Sequence, residues 1–186
     1  AVVKANAYGH GMAAVSLHLQ KLGVEGLATA NFDDAVAARR AGVTIPILLY
    51  GAQLPSGHVD VLDQGLTPSV YDRESLQVLA QLGSRRANPV PVHIKVDAGL
   101  GRLGVRLDEA AAFAHEVLQQ PGLLLEGIYT HIPFSDDQTG AWSQRRLAAF
   151  TSLVREIQTS HGIVIPYAQG AASSVMSQNF PDELNT

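Results

Sequence analysis

The feature that most constrains this 186-residue chain is alternation: short runs of aliphatic and β-branched residues are separated, from one end to the other, by stretches with the apolar spacing of helices. Repeated βα units around a parallel sheet are what such a pattern predicts. Strands are expected over residues 2–4, 26–30, 46–50, 67–71, 90–96, 125–130 and 165–168, and helices over residues 12–22, 32–41, 57–64, 73–82, 108–119, 142–160 and 173–178. Gly23, Gly42, Gly65, Gly83 and Gly162 fall where these helices stop, positions at which a left-handed residue commonly closes the last turn. Most strands are near-continuous apolar runs, so both faces of the sheet are expected to be covered. Seven successive units with no break in composition predict an α/β fold of the (β/α)8 TIM barrel type, incomplete here, with the eighth unit beyond Thr186. The first residue is alanine and already reads as part of a strand, as in a partial chain. Barrels of this kind gather their chemistry at the C-terminal ends of the strands, which makes each polar residue there a candidate.

Composition narrows the partners. Thirteen lysines and arginines against 17 acidic residues leave a net charge of −4, and no basic run exceeds two residues, so nucleic acid is not an expected partner. No stretch of about 18 apolar residues occurs, and nothing reads as a secretory leader, so a membrane is not expected either. The lack of cysteine excludes disulfides and thiolate metal sites and suits a reducing, cytoplasmic setting. At 46% hydrophobic composition the chain can bury a sizeable core.

The opening AVVKANAYGHG places Lys4 at the end of the first expected strand. Two readings are open. A strand-end lysine can carry its charge out to water along its apolar stem. Projected into a barrel mouth, it would lose hydration, its pKa would fall, and the free amine could form a Schiff base with a carbonyl. Asn6, Tyr8, Gly9, His10 and Gly11 read as a turn into a helix whose N–H groups can approach an anion, with the Tyr8 hydroxyl as a further donor to a phosphate oxygen. VVKANAYGHG resembles the lysine motif of the alanine racemases, fold-type III enzymes that use pyridoxal 5'-phosphate (PLP). The resemblance implies that Lys4 both binds PLP and is catalytic, and that Tyr8 is a cofactor-binding residue.

HIKVDAGLGRLGV, residues 93–105, runs a strand into a glycine-rich loop and clusters Lys95, Asp97 and Arg102. An ion pair between Lys95 and Asp97 is one expectation, since i and i+2 share a strand face. The segment also resembles the family's KxDxGxxRxG motif. That implies a catalytic Arg102 near the cofactor's phenolic oxygen and the substrate carboxylate, and a carbamylated Lys95 holding the guanidinium by charge-assisted bonds.

In GIYTHIPFSDD, residues 127–137, His131 follows a strand end. A metal is not expected there, because no other histidine falls at ligand spacing. A half-buried histidine bonded to backbone is the plain alternative; the family's T-H-x-x-x-x-[DE]-[DE] pattern implies that His131 packs against the pyridine ring. In YAQGAASSV, residues 167–175, Ser173 reads as a helix N-cap or as a phosphate ligand, and the resemblance implies cofactor binding. The usual H-x-x-N-S form is not kept: Gln169 and Ala172 stand where histidine and asparagine are expected, which bears on substrate more than on cofactor.

The resemblance covers essentially the whole chain. It implies one partial PLP-binding barrel domain over residues 1–186, a C-terminal β domain absent from this sequence, and a homodimer in which that domain's tyrosine serves the partner's active site. It further implies a V-R-P-G segment beyond Thr186 whose arginine meets the pyridine nitrogen. The activity implied is interconversion of L- and D-alanine by two bases on opposite faces of Cα, supplying D-alanine to the bacterial cell wall, with residues 1–186 alone inactive. A serine or broad-specificity racemase, and a PLP-binding protein without turnover, are the alternatives. Asp33, Asp34, Arg39 and Arg40 read as a solvated helix face, and Trp142 as packing.

Overall fold

The computed structural model describes residues 1–132 and 141–170. Two compact units divide the chain, residues 1–69 and the residues from Val70 onward.

In the first unit Val2 makes a parallel bridge to Ala28, and a single turn, Lys4–Tyr8, follows at once. Then come α1 (Met12–Lys21), β1 (Leu27–Thr29), α2 (Phe32–Arg40), β2 (Ile47–Leu49), a 3-10 turn at Pro55–Gly57, α3 (His58–Asp63) and β3 (Thr67–Val70), whose last residue is the first of the second unit. The strands pair in parallel, Leu27 opposite Ile47, Thr29 opposite Leu49 and Leu48 opposite Thr67. Leu27, Ile47 and Leu49 of β1 and β2 meet Val3, Ala7, Met12, Ala35 and Ala38 in one buried cluster. Asn31 starts α2 by accepting the Asp33 N–H at 2.9 Å, and Gly42, at φ 99°, lies just past its end. Arg39 is not the surface charge its sequence context suggested. Its guanidinium donates to the carbonyls of Val43 at 2.9 Å, Ile45 at 2.7 Å and Gly65 at 2.8 Å, tying the loops before β2 and β3 to the end of α2.

The second unit holds α4 (Arg73–Gly83), β4 (Val90–Asp97), β5 (Val105–Arg106), α5 (Ala110–Leu118), β6 (Leu123–Thr130), α6 (Ala141–His161) and β7 (Tyr167–Gly170). β4 pairs in parallel with β5 and β6, and β6 with β7. Asp72 caps α4, accepting the Ser75 N–H at 2.7 Å. A bulge between Val92 and His93 shifts the β4–β6 register, so that His93 lies opposite Gly127 and Lys95 opposite Tyr129. The His93 ring occupies the place a Cβ on Gly127 would take, stacking on Tyr167 with 5.8 Å between centroids, while its Nε2 faces Glu126 Oε2 at 3.2 Å.

The βα alternation is realised, with strands and helices within about two residues of their expected ends. Three differences have physical causes. The first expected strand is a bridge only, because Lys4 already belongs to the turn. The two-residue β5 escaped notice because a pair of residues carries no periodicity. Gly83 does not stop α4 in a left-handed conformation: it ends the helix, and a Cβ there would collide with the Gly122 carbonyl, so close backbone approach is what requires glycine. The expected helix over residues 173–178 lies outside the described residues.

Candidate active site

Lys4 opens a turn of unusual hand. Ala5, Asn6, Ala7 and Tyr8 all have φ of 54 or 55°, a left-handed helical turn built from residues with side chains. Each L-residue in that conformation costs about 1–2 kcal/mol relative to the right-handed one, so the turn persists only where its surroundings over-determine it. Small residues keep the cost low, and asparagine is among the few side chains that visit this region readily. Ala7 is 4% exposed and plugs the turn into the core beside Val3 and Met12.

Hydrogen bonds close it. Ala7 N–H donates to Val3, Gly9 to Ala5 and Gly11 to Asn6, at 2.9 to 3.0 Å, and His10 Nδ1 donates to the Ala7 carbonyl at 3.0 Å. Asn6 Oδ1 accepts the Met12 N–H at 2.7 Å, which caps α1. With Ala7 inward, Lys4 and Tyr8 face outward, the Lys4 Nζ 5.8 Å from the Tyr8 ring centroid.

The second cluster sits on β4 and the loop after it. Asp97 shapes that loop by accepting the N–H groups of Gly99 at 2.8 Å and Gly101 at 3.1 Å. Burial pushes the Asp97 carboxyl upward, but the amides of Gly99, Gly101, Leu100 and Arg102 outweigh it and hold its pKa below 3.8. Gly104, at φ 134°, returns the loop to β5 so closely that a Cβ would stand 2.6 Å from the Asp97 nitrogen.

Lys95 is 4% exposed, its Nζ 4.5 Å from the centroid of the Tyr129 ring. Burial, and then the positive charge of Arg102, bring its pKa from 10.5 to about 8, against a smaller upward pull from Asp97. An ion pair between Lys95 and Asp97 is not formed among the described residues; the ammonium takes an aromatic face and the carboxylate takes amides.

Lys4 and Tyr8 thus share one turn of the first unit, while Lys95, Arg102 and His131 belong to the second. Arg102 is exposed on the glycine loop, and His131 is half-buried immediately after β6. Ser173 lies outside the described residues. Of the two readings open for Lys4, its side chain follows the exposed one, and the lysine desolvated at a strand end is Lys95. The cause is the turn, which buries Ala7 and leaves the lysine outside. Sequence reasoning also missed Asp34, whose carboxylate faces the Asn6 N–H at 3.2 Å. Its only sequence signal is a place on the first turn of the helix after β1, where acidic residues are common.

No helix among the described residues is long and apolar enough to cross a membrane. A family model described as "Alanine racemase, N-terminal domain" matches residues 1–185. An alanine racemase of Streptococcus equi subsp. equi is 37% identical over 175 residues, 94% of this chain and 47% of the relative. One from Desulfovibrio desulfuricans is 34% identical over 86% of this chain and 43% of its own length. The chain therefore spans about half the length of these relatives. Among solved structures, an alanine racemase of Clostridium difficile 630 superposes with a TM-score of 0.85 at 26% identity, over 94% of this chain and 46% of that one. The alanine racemase of Bacillus anthracis solved with bound L-Ala-P gives 0.83 at 28% identity, over 99% and 47%. The fold class is the one the βα alternation predicts, an incomplete α/β barrel.

Proposed function

The chain belongs to the alanine racemase family, and on that premise we propose that the whole protein is a PLP-dependent isomerase that interconverts L- and D-alanine by proton transfer at Cα. The observation that carries the reading is an amine and a phenol presented side by side on one over-determined turn. PLP is an aldehyde that bears a phosphate, and this donor set suits both ends: Lys4 Nζ for the carbonyl carbon, the Tyr8 hydroxyl for a phosphate oxygen. Gly9 and Gly11, at φ 85 and 100° with nothing within 4 Å of a Cβ position, leave room for a ligand to approach the backbone beside them, while their own N–H groups donate to Ala5 and Asn6. When bound, PLP supplies an electron sink that stabilises negative charge at the substrate Cα.

The chain's own residues then divide the work. Lys4 Nζ holds and returns the Cα proton on one face of the substrate. Arg102 presents a planar pair of donors to a carboxylate, from a loop that Asp97 holds in shape. Lys95, with a pKa of about 8, is neutral often enough near neutral pH to add carbon dioxide: an N–C bond forms, a proton leaves, and a cation beside Arg102 becomes an anion that attracts it. By the family resemblance His131 would pack against the cofactor ring, and Ser173, outside the described residues, would help to hold its phosphate.

A lone lysine exchanges protons on its own face only. Inversion needs a second acid–base group opposite, which the family resemblance assigns to a tyrosine of a partner subunit in a homodimer. A cytoplasmic supply of D-alanine for the cell wall follows from the same reading.

Gln169 favours a second reading, a serine or broader amino-acid substrate. It is exposed on β7 in the same register row as Tyr129 and Lys95, where the family pattern has histidine. The test is direct. The whole protein should show the visible absorption of lysine-bound PLP and racemise alanine, and Lys4→Ala should remove both. Absorption that survives Lys4→Ala overturns the assignment. Turnover of L-serine equal to that of L-alanine selects the broader substrate, and absorption without any racemisation selects a PLP carrier.

A further inference from the structure

Asp34 has no part in the roles assigned so far, yet its carboxylate lies where the lysine turn begins. Its two oxygens face the backbone N–H of Asn6 at 3.2 and 3.4 Å, and the Thr29 hydroxyl stands 3.5 Å from one of them. The Asn6 N–H needs an acceptor from outside, because the first donors of a helical turn have no carbonyl behind them within it. Ala7, the next residue, already reaches back to Val3.

The position of Asp34 is set by neighbours outside the turn. Thr29 ends β1, Asn31 caps α2, and Ala35, next to Asp34, is fully buried. Asn6 relays the contact onward, since its own side chain caps α1 through the Met12 N–H. A carboxylate on one βα unit thus fixes the backbone of the preceding one at the residue two past Lys4.

We propose that Asp34 is a positioning residue for Lys4: its carboxylate selects the left-handed turn and so sets the direction in which the lysine leaves the first bridge. The role rests on the reading of Lys4 as the PLP-bearing residue. Without Asp34 the Asn6 N–H turns to water, and the right-handed conformation that L-residues favour aims Lys4 elsewhere. Asp34 moves no proton and touches neither substrate nor cofactor in this scheme.

The test compares Asp34→Ala, the isosteric Asp34→Asn and the carboxylate-retaining Asp34→Glu in the whole protein. Amide hydrogen exchange is read without PLP, and borohydride trapping of PLP on Lys4 is timed in the loaded protein. Loss of a charged acceptor should speed exchange at Asn6, Ala7 and Tyr8 by about tenfold in Asp34→Ala and leave β1 and β2 unchanged. Trapping and kcat should slow by a similar factor, about tenfold, with KM little altered.

Asp34→Asn, which keeps the shape, should move in the same direction by about threefold. Asp34→Glu should restore the wild-type values. Unchanged exchange at residues 6–8, exchange that accelerates uniformly across the unit, or a kcat that Asp34→Glu fails to rescue overturns the role. Wild-type protein that traps no PLP on Lys4 sinks the functional reading instead, and the exchange measurement still decides whether Asp34 holds the turn.

Discussion

Lys4 and Lys95 stand near the ends of short apolar runs and look alike in one dimension, yet the fold treats them oppositely. Lys95 is buried over an aromatic ring beside another cation, and its amine titrates at about 8. Lys4 is exposed, and what is unusual about it is the strained backbone that carries it. The contrast separates two ways of preparing an amine. One is to remove water and crowd positive charge, which changes the proton affinity; the other is to fix direction, which changes where the nitrogen can reach.

The comparison breaks most visibly at Lys4. Lys4→Ala should lower racemisation by more than about a thousandfold and leave the urea midpoint almost unmoved, within about 0.5 kcal/mol, as for other exposed substitutions. A large loss of stability would show that Lys4 is a structural residue after all.

In the Lys95 region packing dominates. Gly127→Ala places a methyl group where the His93 ring lies, and urea unfolding should report a loss of about 3 kcal/mol. Asp97→Ala leaves the loop amides without their acceptor. It should cost about 2 kcal/mol and should weaken carboxylate binding through Arg102, read as a higher KM.

The pH profile of stability is the sharpest test of the lysine contrast. In unmodified protein Lys95 binds its proton less well when folded, near pH 8, than when unfolded, near 10.5. Between those values the unfolded chain carries more protons, so stability should rise with pH across that window; below it the penalty of a buried cation is fully present. Lys95→Met should flatten the profile. Carbamylation should flatten it too, and labelled carbon dioxide should then give a carbamate carbon signal that Lys95→Ala lacks.

Much of this was legible in one dimension. Periodicity located the βα units, because apolar spacing is what each helix and strand needs to bury one face locally. The glycines at 23, 42, 65 and 162, which the pattern marks as left-handed stops, have φ of 62 to 99°. Local motifs also singled out Lys4, Tyr8, Lys95, Arg102 and His131. What escaped depends on partners distant in sequence. Gly83 answers to Gly122, Gly127 to His93, Arg39 to the carbonyls of Val43, Ile45 and Gly65, and Asp34 to the Asn6 amide. No window along the chain contains both members of the more distant of these pairs.

The sequence by itself determined the order of the elements, the family, and the types of side chain available for chemistry, since these follow from local pattern and residue identity. Only the tertiary structure decided which lysine loses its water and which is held on a left-handed turn. Burial and backbone strain are properties of what packs around a residue, and in this chain that surrounding is assembled from strands and helices far apart in the primary order.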